Sequence, residues 1–444
     1  MTEPRSAKPT VKFVDDYCQW YQPIFPEVRS FEAFKNLHIG MLADMKRKSL
    51  PAIARVAGLD QEQSLHHFLT ASPWQVEQLR EQRLKLILQV LEEREIILII
   101  DETGDRKKGN NTDYVKRQYI GNLGKIENGI VAVTAYGVID GITLPLTFEV
   151  YKPKERLQAG DKYLSKPEIA ARIIRELQAF GFKFKLVLAD SLYGESGSNF
   201  IDVLYELKLP FVVVIRSNHA VWLPQEQRVR GNRWREFTRV FSDGTTQQRY
   251  IREIIFGKRR DTQFWEITTD PQTLPKNSTW YVMTHVPGIK YHQVGNLYGL
   301  RNWVEYGLKQ SKNELGWADF RVTDYAQIQK WWEVVMSAYL IVSLHSTSLY
   351  PQSDFQEDNK LSVVVKKFSR HPWWDEKTGW KNLLNNLRLV LQPFVLFNLI
   401  RPWLKVFPIP ALSLGFSRLI ALMNYFHGAV PIPLQKHEFL FSVA

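Results

Sequence analysis

The chain has 444 residues, 58 Lys+Arg against 46 Asp+Glu, a formal net charge of +12 and one cysteine, Cys18. That length carries roughly two to four domains with a full core, while a lone cysteine excludes intrachain disulfides and multi-thiolate zinc sites and suits a reducing compartment. The cationic balance points to a polyanionic partner, most simply nucleic acid.

The N-terminal Met1-Thr2-Glu3-Pro4-Arg5-Ser6 lacks the apolar core of a signal peptide. Residues to about 90 read as helical. Within them Ser49 can cap a helix with Pro51 in its first turn, Gly58 can close it, and Asp60 can cap the next. Two short helices about a glycine turn, preceded by Lys46-Arg47-Lys48, resemble a DNA-contacting helix-turn-helix.

From Glu95 the texture becomes strand-like. Ile96 to Ile100 is a continuous apolar run, as in a central strand, and Asp101 follows it. Runs from Ile130 to Val138 and from Thr143 to Tyr151 flank Asp140-Gly141, a hairpin turn signal. A helix from Ser165 to Phe180 opens with a capping-box pattern, Ser165 and Glu168. A strand from Phe184 ends at Asp190, and a helix near Ser198 to Leu207 leads to a strand over Phe211 to Arg216. An antiparallel start feeding parallel strands predicts an α/β fold with an RNase H-like catalytic core.

Between 217 and 279 the residues Arg228, Arg230, Arg233, Arg235, Arg239, Arg249, Arg252 and Lys258 to Arg260 alternate with β-branched and aromatic residues, Trp222 and Trp234 among them. This predicts a basic β-rich insertion suited to phosphate and base contact. Strand character returns at Thr279 to Thr284, and from Gln327 the chain reads as helical. The apolar stretch Leu389 to Phe407 is broken by Pro393, Arg401, Pro402 and Lys405, and Val334 to Leu349 is short, so neither is expected to span a bilayer. The 14 Trp and 18 Tyr exceed what a core needs, which suits base stacking. The expected domains are a helical DNA-binding region at 1–92, the core at 93–216 and 280–350, the insertion at 217–279 and a helical C-terminal region at 351–444.

Two strand-end carboxylates, Asp101 and Asp190, and a helical one, Glu305, have the settings that a metal-ion phosphoryl-transfer site needs. Oxygen ligands of this kind hold hard cations such as Mg²⁺, and a cation pair clamps the attacking and leaving oxygens of an in-line displacement. Around Glu305 the spacing Tyr298, Arg301, Glu305, Lys312 gives offsets of three, four and seven, which predicts one helical face, with Lys309 joining it. Arg106, Lys107 and Lys108 follow the first strand and either meet phosphates or cap a solvated hairpin tip. None of the ten His residues shows metal-ligand spacing.

The Tyr-Arg-Glu-Lys signature resembles that of bacterial insertion-sequence DDE transposases in the insertion-sequence-four-like superfamily. Asp101-Glu102-Thr103-Gly104-Asp105-Arg106-Lys107-Lys108-Gly109 and Lys309-Gln310-Ser311-Lys312-Asn313-Glu314-Leu315-Gly316 are most similar to the insertion-sequence-701 group. The resemblance, over about residues 40 to 400, implies that Asp101, Asp190 and Glu305 bind two Mg²⁺ ions, with Mn²⁺ as a substitute, and act on phosphodiesters at transposon ends. It implies DNA contacts by Tyr298, Arg301 and Lys312, and puts Trp280 where some relatives stack a flipped base; at this position simple packing is the competing reading. Asn302 directly after Arg301, with Trp303 next, departs from some relatives. The expected partners are double-stranded DNA and a second copy of the chain, not a membrane, in the bacterial cytoplasm at the nucleoid.

Two other readings compete. A haloacid-dehalogenase-like phosphatase also begins with Asp at a strand end but wants a second Asp two residues later, where Thr103 stands. A transposase-derived DNA-binding protein without catalysis is disfavoured by the intact acidic triad.

Overall fold

The computed structural model describes residues 5–217, 229–241, 245–256, 261–300, 302–346, 366–377 and 379–426. The chain divides into two compact units, one of residues 1–90 with 309–444 and one of residues 91–308.

The first unit begins with helices α1 (Lys12–Gln19), α2 (Val28–Leu42), α3 (Leu50–Ala57), α4 (Gln63–Thr70) and α5 (Val76–Leu91). As the sequence predicts, Pro51 sits in the first turn of α3 and Gly58 closes it in the left-handed conformation, φ 75°. Asp60 does not cap α4: the helix starts at Gln63 behind Glu62 with no side-chain cap, and Asp60 pairs with Lys405 at 3.2 Å. Lys48 turns inward rather than outward. Its side chain is buried and its ammonium donates to the Ala43 carbonyl. Burial and the neighbouring Arg388 lower its pKa to about 7.

The second unit is built on an 11-stranded mixed sheet. Its strands are β1 (Ile96–Arg106), β2 (Lys116–Ile120), β3 (Lys125–Ile139), β4 (Ile142–Val150), β5 (Phe184–Ala189), β6 (Phe211–Ile215), β7 (Val229–Gly231), β8 (Arg235–Val240), β9 (Thr246–Phe256), β10 (Gln263–Thr268) and β11 (Trp280–His285). The sheet order is β2-β3-β1-β5-β6-β11-β10-β9-β7, with β4 also on β3 and β8 on β9. Asp140 and Gly141 both take positive φ in the β3–β4 turn, as their sequence signal requires. β1 pairs parallel with β5, β5 with β6, and β11 returns antiparallel to β6. The basic segment does not stand apart from this sheet, because β9 and β10 extend it past β11. Helix α6 (Lys166–Phe180) opens with the full Ser165–Glu168 capping box and is followed by α7 (Ser191–Gly194) and α8 (Asp202–Glu206). Helix α9 spans Tyr291–Gly299 and α10 spans Asn302–Asn313.

The C-terminal part of the first unit adds α11 (Tyr325–Leu344), α12 (Trp380–Val406) and α13 (Pro410–Met423). Helix α11 is its spine. Glu333, fully buried, receives Arg80 at 2.6 Å and the equally buried Arg83 at 2.9 Å, which ties α5 to α11. Ser337 accepts or donates at 3.0 Å to Tyr17 and at 2.9 Å to His38, so one hydroxyl links α1, α2 and α11. Trp74, Trp317, Trp331, Trp332 and Trp380 are fully buried here. Much of the aromatic surplus read from the sequence as stacking surface is thus core, with the indole N–H of Trp331 and Trp332 donating to backbone carbonyls. Pro393 and Pro402 lie inside α12 and do not break it. This is the one helix among the described residues long and apolar enough to cross a membrane, and its first half, including Leu383, Leu384, Leu387 and Val390, is buried in the protein.

Candidate active site

Asp101 lies mid-strand rather than at a strand exit. β1 continues to Arg106 along β3, with Asp101 opposite Thr134, whose hydroxyl donates to the Asp101 carbonyl at 3.0 Å. The parallel partner, however, stops: the last β1–β5 pair is Ile100 with Ala189. Asp101 and Asp190 are the next residues on each strand, so they leave adjacent backbone positions roughly 5 Å apart. The low strand propensity of Asp-Glu-Thr-Gly-Asp is overridden by its ladder with β3.

Asp101 is 6% exposed and its Oδ1 accepts from the Glu102 amide at 2.8 Å. Asp190 is half-buried, in extended backbone ahead of α7, and its Oδ1 accepts from the Leu192 amide at 2.9 Å. The turn after it depends on Gly194, where a Cβ would lie 2.0 Å from the Val214 carbonyl oxygen. Only glycine lets the backbone press onto β6 this closely. Alternation along β1 turns Glu102 to the opposite face, where its carboxylate meets Lys166 at 2.5 Å. Glu102 therefore serves α6 rather than the Asp101 face. Thr103 and Asp105 share the Asp101 face and are buried. Glu195 accepts from the Arg216 amide at 2.6 Å and so fixes the backbone after β6.

The two aspartates offer only carboxylate oxygens, a donor set that fits hard divalent cations. Among the described residues no group of three His, Cys, Asp or Glu side chains is assembled for a metal. The third expected ligand, Glu305, lies on α10, but its side chain falls outside the described residues, as does Arg301 entirely. The helical face expected from Tyr298 to Lys312 is divided. Tyr298 closes α9, while Glu305, Lys309 and Lys312 lie on α10 beyond Gly299, a poor helix-interior residue. Lys309 is exposed and Lys312 half-buried.

Trp280 begins β11 at the sheet end where β6 finishes, opposite the residue after Ile215. Antiparallel β11 thus starts at the same sheet end as Asp101 and Asp190, two strands from β5, a spacing of roughly 10 Å. The Arg249 guanidinium stands 4.5 Å and that of Arg239 5.8 Å from the Trp280 ring centre, and the Tyr298 ring lies 6.2 Å away. Both arginines are 6% exposed. Burial, then the charge of Arg239, lowers the Arg249 pKa to about 10. Other arginines of this segment are also committed internally, Arg252 to Glu266 at 2.5 Å and over Trp234 at 4.4 Å, and Arg235 over Tyr291 at 5.1 Å. The sequence flags these residues as basic and aromatic; their stacking in pairs comes from the register of β8, β9 and β11. Trp222, Arg228 and Lys258 to Arg260 lie outside the described residues.

Arg106, Lys107 and Lys108 sit at the far end of β1, about 17 Å beyond Asp101 at the usual strand rise. Arg106 approaches Glu127 at 3.5 Å, the Lys107 carbonyl accepts from Asn128 at 3.2 Å, and Lys108 is exposed.

The family described as DDE superfamily endonuclease matches residues 22–268, a span that holds both aspartates but ends before Glu305. The probable transposase for insertion sequence element IS701 of Microchaete diplosiphon is 67% identical over 329 residues, 74% of this chain and 87% of the relative. A match over more than half the chain, joined to identity at this level, decides the kinship: this chain belongs to the DDE superfamily of endonucleases, in the group of the IS701 transposase.

Proposed function

We propose that this DDE transposase binds the terminal inverted repeats of its own element, cleaves phosphodiesters there and joins the freed ends to target DNA by a cut-and-paste route. The observation that carries the reading is the adjacency of Asp101 and Asp190 at the ends of the paired stretch of β1 and β5, inside the matched span. The order β4-β3-β1-β5-β6 supports an RNase H-like core over 93–216 and 280–350, with 217–279 as its insertion, 1–92 as the DNA-binding region and 351–444 as the helical C-terminal region.

Asp101, Asp190 and Glu305 would hold two divalent cations, Mg²⁺ or in its place Mn²⁺. When bound, such a pair supplies a deprotonated attacking oxygen and neutralises charge at the phosphate. The chain's own task is placement. Asp101, buried, and Asp190, half-buried, each accept a backbone amide that fixes one carboxylate oxygen, so alignment of the scissile bond costs little reorganisation. Tyr298, Arg301, Lys309 and Lys312 are assigned to the DNA near that bond, and Trp280 to an end base. Arg106, Lys107 and Lys108 are assigned to backbone phosphates farther along. The α3–α4 pair presents Gln63, Ser64, His66 and His67 outward, a polar face suited to base edges. Two copies would act together because two ends must be cut, in the cytoplasm at the nucleoid and away from membranes.

The test is cleavage of a DNA fragment carrying the element's inverted repeats by purified protein. Mg²⁺-dependent nicking at the repeat boundary, abolished by a chelator, is expected. Absence of cleavage with Mg²⁺ and with Mn²⁺, alongside intact repeat binding, would instead leave a DNA-binding protein without catalysis.

A further inference from the structure

β1 outruns its parallel partner: the last β1–β5 pair is Ile100 with Ala189, yet β1 continues to Arg106 along β3. β2 pairs with the start of β3, so a two-stranded ribbon, Lys116–Ile120 against Lys125–Gly129, extends past the sheet end that holds Asp101 and Asp190. The ribbon folds back onto the Glu102 face of β1. Ile120 is buried and fills the space that Gly104 and Gly129 leave open, where a Cβ would lie 2.8 Å and 2.6 Å from its methyl groups. Gly104, inside the Asp101–Gly109 motif, thus seats the hairpin rather than a cation. A Cβ on Gly121 would lie 3.9 Å from the Glu102 carboxylate, which puts the hairpin turn beside the residue that follows Asp101.

What the ribbon turns outward is apolar and cationic. Tyr119 and Ile126 are cross-strand partners, 54% and 58% exposed, and Leu123 in the turn is 39% exposed. Arg117 shares the Tyr119 face by strand alternation and is exposed, as are Lys108 and Lys125. Between Arg106 and Asn128 six Lys and Arg stand against Asp113 and Glu127. Glu127 is shared by Lys125 at 3.0 Å and Arg106 at 3.5 Å, so the surface keeps an excess of positive charge. The amides of the two strands are turned to the backbone. Gln118 donates to the Gly129 carbonyl at 3.0 Å, and Asn128 to the Lys107 and Gly109 carbonyls at 3.2 Å and 2.9 Å.

We infer that the β2–β3 hairpin is the seat for target DNA, in which Lys108, Arg117 and Lys125 meet phosphates while Tyr119, Leu123 and Ile126 enter the minor groove as an apolar wedge. Cations hold a duplex without reading it, and an apolar wedge acts at whichever base step opens most easily. Such a surface suits DNA that differs at each insertion. Element ends are the same every time and call for side chains that read base edges. A second copy of the chain fits this surface poorly, because a two-fold contact would set the cations of one hairpin against those of the other.

This inference rests on the strand-transfer part of the proposed function, and the two fail separately. The experiment uses the full chain, pre-cleaved repeat ends, Mg²⁺ and a labelled duplex of unrelated sequence, with wild type beside Tyr119→Ser/Ile126→Ser and Arg117→Ala. Affinity for the unrelated duplex, and joining into it, are expected to fall by about 10-fold or more in the double variant, while end cleavage and repeat binding stay within about two-fold. Arg117→Ala should lower the salt slope of unrelated-duplex binding by about one. A mismatch in the duplex should tighten binding by wild type but not by the double variant, since a wedge gains most where the stack is already weak. Unchanged joining and unrelated-duplex affinity in the double variant overturn the assignment. Loss of repeat binding in equal measure also overturns it, by giving the hairpin to the element's ends. Should the variants misfold by circular dichroism, hydroxyl-radical footprinting of wild type decides: Tyr119 and Ile126 should gain protection when unrelated duplex is added. No protection, or protection that follows protein concentration without DNA, overturns the assignment. A wild type that neither cleaves nor joins removes the strand-transfer reading, while the footprint still decides the hairpin.

Discussion

Asp101 and Asp190 stand one residue beyond Ile100 and Ala189, the last paired positions of two adjacent parallel strands. Two acids brought together in this way from positions distant in sequence leave little freedom in their spacing. The proposed third ligand, Glu305, comes from helix α10. Substitution of Glu305 by Ala is expected to abolish end cleavage while repeat binding in a gel-shift titration stays within about two-fold, since a metal ligand contributes to chemistry more than to the phosphate contacts. Retained cleavage would remove Glu305 from the ligand set.

Lys312 follows Glu305 by seven positions on α10. Substitution by Ala is expected to weaken repeat binding and to lower the slope of log K against log salt by about one, the signature of one lost phosphate contact. Binding measured from low to moderate salt checks this, and an unchanged slope would refute the contact.

How much of this was legible in the sequence follows from which residues acted locally. The Ile96 to Ile100 run, the Asp140-Gly141 turn, the Ser165–Glu168 box and Gly58 each specify a conformation within a few residues, and each appears where its chemistry implies. The misses depend on partners far away in sequence. β1 runs on through Asp101-Glu102-Thr103-Gly104-Asp105 because β3 supplies a ladder. β2 carries no periodic signal and forms against the start of β3. Arg239 and Arg249 read as phosphate- and base-contacting cations, whereas the register sets them against Trp280. Around the candidate site, the apolar runs that lead to Asp101 and Asp190 were readable, whereas the continuation of β1 past Asp101 and the placing of Tyr298 on α9 and Lys312 on α10 were not.

Glu333 balances Arg83 in a region with no exposure and Arg80 beside it. Substitution by Gln is expected to destabilise the protein by about 3–5 kcal/mol, because removing one partner strands buried charge. Urea denaturation followed by circular dichroism measures this; a loss below about 1 kcal/mol would mean that the cluster rearranges freely.

His38 and His345 are fully buried, and burial lowers each pKa from 6.5 to about 4. Between those values the unfolded chain binds protons that the folded chain does not, so stability is greatest above pH 6.5 and falls as the pH drops toward 4. The loss is on the order of 2–3 kcal/mol per histidine across that window. Denaturation midpoints taken from pH 7 to pH 4.5 check the direction, and His38→Gln should flatten the curve. A midpoint that holds steady over this range would contradict the burial argument.

The most direct measurement is divalent-cation binding and end cleavage by the Asp101→Asn and Asp190→Asn proteins side by side with wild type. Calorimetric titration with Mg²⁺ or Mn²⁺ reports the ligands, and a labelled repeat fragment reports the chemistry. The expected result is that each substitution removes cation binding and lowers cleavage by about 1,000-fold or more while repeat affinity persists. Cleavage and cation affinity at wild-type levels in either variant would contradict the claim that these two carboxylates form the catalytic centre.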